Sequence, residues 1–206
     1  MLEKLDEIDW PQLHHAYGSA ADVPGLIRAL LSEEHETRWN AISELFNTIW
    51  HQGTVYEASA YAVPFLQDLL GSPDTKDKPM IADLLAAMAD GTASLEGASQ
   101  DGKLEKIYRE ILTKNGRDFD QELIDGRRYV EATREAVGRG LSSLYPYLTC
   151  DELGIRYSVA SALKYYPEQS ALILPLLKDA LLSEGDEQVR EKIREAINIL
   201  EGERSP

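Results

Sequence analysis

The sequence predicts an all-α chain, a stack of about four helix pairs with one irregular insert. Three observations carry this reading. Apolar residues recur at helical spacing, as in Leu26, Leu30 and Leu31 or in Ile193, Ile197 and Leu200, the pattern of a helix with one buried stripe. No segment alternates apolar and polar residues as a half-buried strand would. Four segments also align on one template: a proline just inside a helix, leucines about two and six residues later, a short polar turn, and a second helix opening on acid-x-x-x-base.

The first pair, "VPGLIRALLSEEHETRWNAISEL", holds Pro24, Leu26, Leu30, Glu34 and Arg38 and predicts helices over 22–31 and 34–50. The second, "VPFLQDLLGSPDTKDKPMIADLL", holds Pro64, Leu66, Leu69, Asp74 and Lys78 and predicts 57–71 and 76–89. The third is shorter, "YPYLTCDELGIRYSVASAL", with Pro146, Leu148, Glu152 and Arg156, and predicts 127–147 and 151–165. The fourth, "LPLLKDALLSEGDEQVREKIREAINIL", holds Pro175, Leu177, Leu181, Asp186 and Arg190 and predicts 169–182 and 186–200. Apolar residues follow each base at +3 and +7: Ala41 and Leu45, Ile81 and Leu85, Val159 and Leu163, Ile193 and Ile197. A helix pair cannot bury its apolar stripe alone, so such repeats stack. The acid suits the positive end of the helix dipole, and the base four residues on is its expected ion-pair partner.

Pro64 to Pro146 spans 82 residues, about twice the 40 between Pro24 and Pro64, which defines an insert over about 91–126 within a single domain, 1–206. "DGTASLEGASQDGK" is rich in glycine, serine and alanine, so 91–103 reads as a mobile surface loop, followed by a helix over Leu104–Leu112.

"DEQVREKIREAINIL" and "EHETRWNAISEL" resemble the second helix of HEAT-like repeats, whose usual pattern is Asp-x-x-Val-Arg-x-x-Ala-x-x-Ala-Leu. The resemblance covers about 22–90 and 127–200 and implies an armadillo-type solenoid. Lys78 stands where the pattern has arginine, and Pro79 falls in the first helical turn, where proline is tolerated.

The formal charge is −15, with five Lys/Arg against sixteen Asp/Glu over residues 1–100, nine against nine over 101–140, and seven against eleven over 141–206. That balance repels phosphate backbones and disfavours nucleic acid as a partner. The single cysteine, Cys150, permits no intramolecular disulfide. The start "MLEKLDEIDW" is acidic where a signal peptide is basic and then apolar, and no apolar run approaches the roughly 18 residues of a membrane span. The reading is a cytoplasmic protein without a membrane partner.

Catalytic signatures are absent: there is no Gly-x-Ser-x-Gly elbow and no phosphate loop, and Cys150 precedes Asp151 and Glu152, which disfavour a thiolate. No metal or cofactor is expected. Adjacent His14 and His15 diverge on a helix, and His35 and His51 lie roughly 24 Å apart along one. "DFDQELIDG" begins like a calcium loop with Asp118, Asp120 and Glu122, but Leu123 and Tyr129 occupy the positions of its glycine and its bidentate glutamate.

One stretch is crowded with site-like side chains, "NTIWHQGTVYEASAYAVPFLQDLL". Trp39, Ser43, Phe46 and Trp50 form a stripe about a quarter-turn from the core stripe of the 34–50 helix. In HEAT-like arrays the second helices line the concave face, so the resemblance implies that this stripe is presented there. Trp39, Trp50, His51, Gln52, Tyr56, Glu57 and Tyr61 are therefore the expected protein-binding residues, with aromatic anchors favoured because they bury much area at low entropy cost. The competing expectation packs Trp39 and Trp50 under the N-terminal segment, against Trp10 or Tyr17. Gly53 is expected to cap the helix.

The function expected is thus non-enzymatic binding of a basic protein, in the manner of bacterial adaptor or toxin-neutralising immunity proteins. The alternative is a DNA glycosylase for alkylated bases built from HEAT-like repeats. It requires a basic groove from Lys103, Lys106, Arg109, Arg127, Arg128, Arg134 and Arg139, with Asp90 stabilising a cationic sugar.

Overall fold

A computed structural model describes residues 2–202. Pro24 sits in the first turn of α1 (Val23–Ala29), whose partner is α2 (His35–Thr48). In α2 the buried residues Arg38, Ala41, Ile42, Leu45 and Thr48 recur at helical spacing. The second pair is α3 (Glu57–Gly71) and α4 (Lys78–Asp90). The start of α3 is fixed by Ser59, whose Oγ accepts from Tyr56 N at 2.8 Å and donates to Ile49 O at 2.5 Å, while its N–H donates to Tyr56 O at 3.1 Å. Because that cap starts the helix well upstream, Pro64 falls in its interior, as Pro175 does in the helix Ser170–Ser183, rather than just inside the first turn.

The insert is more ordered than its composition predicts. It holds α5 (Glu96–Ser99) and α6 (Gly102–Lys114), and Leu95, Ala98, Leu112 and Phe119 bury one another in a small satellite core. The segment 91–103 is thus no mobile loop. Thr92 N donates to Gly53 O at 2.8 Å and Val55 N to Thr92 O at 3.2 Å, pinning its start.

The helix expected over 127–147 runs instead as α7 (Phe119–Arg139). It begins early because Asp118 accepts from Gln121 N at 2.8 Å and caps it, which places 119–126 in α7 rather than in an irregular insert. It ends early because the Gln67 amide donates to Val137 O at 2.9 Å, and the same amide leaves no room for a Cβ at Gly140. Short 3-10 turns over Leu141–Ser143 and Tyr145–Thr149 then lead to α8 (Leu153–Leu163). The last pair is α9 (Ser170–Ser183) and α10 (Glu187–Leu200), the latter capped by Asp186, which accepts from Gln188 N at 2.9 Å and Val189 N at 3.1 Å.

Within the stack α3 packs on α7, α4 on α8 and α8 on α10, so the insert is looped out between directly touching pairs. One continuous core runs from Leu5 to Leu200. No helix among the described residues is long and apolar enough to cross a membrane.

The template's bases do not pair with the acids four residues before them. Arg38, only 6% exposed, donates through Nη1 to Ser32 O (2.9 Å) and Glu33 O (3.0 Å) and through Nε to Asp77 Oδ2 (2.7 Å) in the turn of the next pair. Arg156 repeats the arrangement, with Nη1 on Cys150 O and Asp151 O (both 2.9 Å) and a bidentate pair to Glu184 (2.7 and 3.0 Å). Arg190 Nη1 donates to Glu184 O at 2.8 Å, again six residues back. The orphan carbonyls of an inter-helix turn attract the guanidinium more strongly than a solvated acid on its own helix.

Two short hairpins interrupt the all-helical pattern: β1 (His14–His15) with β2 (Gly18–Ser19), and β3 (Trp50–His51) with β4 (Thr54–Val55). In the second, Gln52 (φ 50°) and Gly53 (φ 87°) both adopt the left-handed conformation that a two-residue hairpin turn demands. Gly53 therefore turns a hairpin and caps no helix, for α2 has already ended at Thr48.

Candidate protein-binding groove

The second helices present a common face. On α2 it carries Trp39, Ser43 and Phe46, leading to Trp50; on α4, Asp83, Ala87 and Asp90; on α8, Tyr157 and Ser161, with Lys164 at its C-cap; on α10, Lys192 and Glu195. Where α2, the second hairpin, α4 and α8 meet, this face sinks into a cavity of about 240 Å³ lined by Phe46, Trp50, Asp83, Asp90, Tyr157 and Ser161 among others. Phe46 and Trp50 form an edge-on pair with centroids 5.8 Å apart. The Trp50 Nε1 is buried without a hydrogen-bond partner.

The two carboxylates of the cavity differ. Asp90 accepts from Tyr165 Oη at 2.7 Å and Ser161 Oγ at 2.9 Å, with Lys164 Nζ 3.8 Å away. Burial, then the hydrogen bond and charge of Asp90, push the Tyr165 phenol up to about 12. Lys164 lies closer to Glu195, at 3.0 Å, and Lys192 is 2.7 Å from the same carboxylate. Asp83 forms no ion pair among the described residues; burial raises its pKa above the ordinary value, offset in part by the neighbouring Ser158 hydroxyl. Lys192 Nζ already lies 5.5 Å over the Tyr157 ring, but Asp83, a carboxylate drawn out of water beside Phe46 and Trp50 without an ion pair of its own, is suited to a guest cation on that side of the cavity.

Beyond Tyr165 lies a larger cavity of about 820 Å³ against α7, lined in part by Arg127, Arg134 and Arg139. None of these three is free. Arg127 makes a bidentate pair with Glu96 (2.9 Å for each bond), and Arg139 Nη1 donates to Glu135 at 2.9 Å. Arg134 stacks on the Tyr165 ring at 4.0 Å and donates to Ala89 O (2.9 Å) and Gly91 O (3.0 Å), closing the C-terminus of α4. Arg109 is held by Glu105 and Asp120, and Arg128 by Asp125 at 3.2 Å. Of the basic set that the alternative function requires, Arg109, Arg127, Arg128 and Arg139 are thus matched by carboxylates and Arg134 by backbone carbonyls.

The expected binding residues scatter. Trp50 lines the small cavity. Trp39, 51% exposed, stacks on His35 near the far end of α2, eleven residues or roughly 16 Å away. Neither tryptophan packs under the N-terminal segment: Trp10 donates to Leu5 O and packs on Phe65, while Tyr17 packs edge-on against His51 at 5.4 Å. Gln52 is exposed at the hairpin turn. Tyr56 and Glu57 line a separate cleft of about 610 Å³ with His14, Arg117 and Tyr129, where Glu57 Oε2 accepts from His14 N at 3.2 Å. Tyr61, 46% exposed, lies on α3. No group of three or more His, Cys, Asp or Glu side chains among the described residues is arranged to hold a metal.

Asp83, Tyr157 and Ser161 were missed, yet the repeat itself held the signal. Counting from each template base, position +1 is Trp39 and Tyr157, position +5 is Ser43, Asp83, Ser161 and Glu195, and position +12 is Trp50 and Asp90. Aligning the repeats by their arginines and lysine thus reads out most of the common face.

No protein family and no curated protein matches the chain. Among solved structures it is similar to the crystal structure of an engineered protein, at 20% identity and a TM-score of 0.37, covering 89% of this chain and 81% of that one.

Proposed function

We propose that this is a non-catalytic cytoplasmic binding module whose groove receives a basic segment of another protein, one lysine or arginine side chain seating beside Phe46 and Trp50 against Asp83. The observation that carries the reading is Asp83 itself, a half-buried carboxylate in an aromatic-walled cavity with no ion-pair partner of its own among the described residues. The acidity of residues 1–100 supports it, because it draws basic partners by long-range attraction. The resemblance to HEAT-like repeats supports a role as an adaptor or as a toxin-neutralising immunity protein. An array of Lys/Arg-rich peptides beside neutral and acidic ones tests the reading. Basic peptides should bind selectively, and Asp83→Asn should weaken them while leaving the circular dichroism unchanged; equal binding of acidic peptides overturns it.

A second reading is kept because Trp50 and Asp90 line the same cavity. Under it the protein excises alkylated bases, with Asp90 facing the departing sugar. Release of a methylated purine from duplex DNA by the wild type but not by Asp90→Asn would establish it in place of the first.

A further inference from the structure

Helix α6 carries a surface that the groove does not use. Leu104, Ile107, Tyr108 and Ile111 are 44%, 51%, 41% and 46% exposed, and they recur at i, i+3, i+4 and i+7, so they form one stripe. Only Leu112 of this helix is buried, in the satellite core with Phe119. Four large apolar side chains left half in water on one short helix mark an interaction surface rather than scattered exposure.

The charges beside the stripe identify its occupant. On the flank toward α7, Arg109 stacks on Phe119 and is held by Glu105 and Asp120. Helical spacing puts Lys103, Glu110 and Lys114 together on the opposite flank. None of the three has an ion-pair partner among the described residues. Two copies of α6 related by a two-fold axis perpendicular to the helix run antiparallel and bring like flanks together. Centred between Ile107 and Tyr108, the pairing sets Leu104 beside the second copy's Ile111 and Ile107 beside its Tyr108. It also leaves each Lys103 about two residues, roughly 3 Å along the axis, from the opposing Glu110. The approach is electrostatically open as well, because residues 101–140 hold nine bases and nine acids, whereas the stretches on either side are net acidic. We infer that the protein self-associates through α6, as an antiparallel two-fold dimer closed by reciprocal Lys103–Glu110 pairs.

One helix pair buries less than a standard interface, so the dimer should be weak, with Kd on the order of 10 µM or above. Sedimentation equilibrium on the full chain, up to about thirty times that concentration, tests it. The mass should rise from 23.0 kDa toward twice that value. Ile107→Glu, at an exposed position, should hold it at the monomer value with unchanged circular dichroism. Glu110→Lys should weaken association about threefold to tenfold, and adding Lys103→Glu should restore it. Three results would overturn the inference: a monomer throughout the range, a dimer indifferent to Ile107→Glu, or a charge swap that fails to rescue. Vesicles with anionic headgroups supply the control for the other use of a basic amphipathic helix. They should not sediment the protein, and binding to them that Ile107→Glu abolishes would assign the stripe to membranes instead.

Discussion

Arg38 and Asp83 are both ionisable side chains drawn toward the interior, and they sit in opposite situations. Arg38 spends its donors on Ser32 O, Glu33 O and Asp77, and through Asp77 ties one helix pair to the next. Asp83 has a serine and aromatic neighbours but no counter-ion. The first arrangement is complete in the folded chain, so its removal should be felt in stability. The second is incomplete, so its removal should be felt in binding. A buried charge, then, indicates function only after its partners have been counted.

Arg38→Ala tests the complete site and should have the largest effect. Loss of the guanidinium strands two turn carbonyls and Asp77, and should cost about 3 kcal/mol in denaturant unfolding. The equivalent pair in the third repeat adds a pH signature. Arg156 holds the Glu184 carboxyl below its ordinary value of 4.5. A depressed folded pKa gives stability that is present above the unfolded pKa and is lost as pH falls through the lower folded value. Wild-type protein should therefore lose stability below about pH 4.5 more steeply than Arg156→Ala.

The incomplete site should give a smaller, differently placed effect. Trp50→Ala should weaken capture of a basic peptide by about 2 kcal/mol, whereas Trp39→Ala, outside the cavity, should change it by less than about 0.5 kcal/mol. Equal losses from both would make the whole stripe the anchor and dissolve the contrast. Gly53→Ala comes next, at about 1 kcal/mol of stability, because its φ of 87° is unfavourable for a side chain.

Asp83→Asn should change stability least, and in the favourable direction. The raised pKa of Asp83 means that the folded state resists its ionisation. The resulting penalty is present above the folded pKa and absent below the unfolded value near 3.8. The variant should be more stable than wild type by less than about 1 kcal/mol at neutral pH, with the gain vanishing toward pH 3. A loss of stability would show that Asp83 serves the fold as Arg38 does.

The sequence made the helix pairs legible because the apolar positions after each base, such as Ala41 and Leu45, are fixed by burial, which periodicity records directly. It misplaced the partners of the bases because Arg38 and Arg156 reach carbonyls and acids of separate turns, and long-range pairing leaves no local spacing to read. The hairpin of "WHQGTV" was hidden by its length, since two residues per strand give no alternation, although Gln52-Gly53 occupies a turn that wants left-handed residues. The site residues were chosen by type along one stretch. The cavity instead joins Trp50 to side chains from α4 and α8, and only the stacking of α4 on α8 brings them together.

That direct stacking of α4 on α8 has a bearing on how the molecule tolerates change. The main packing does not run through residues 97–118, because α3 meets α7 and α4 meets α8 directly, while Gly91, Thr92 and Glu96 tie the start of the insert to Arg134, to the second hairpin and to Arg127. The entropy of closing a loop grows only with the logarithm of its length. Sequence can therefore be added around the Asn115–Gly116 turn at little thermodynamic penalty, and the groove keeps its geometry so long as Thr92 still holds Gly53. In this architecture the part that displays α6 is free to diversify while the part that displays Asp83 stays fixed.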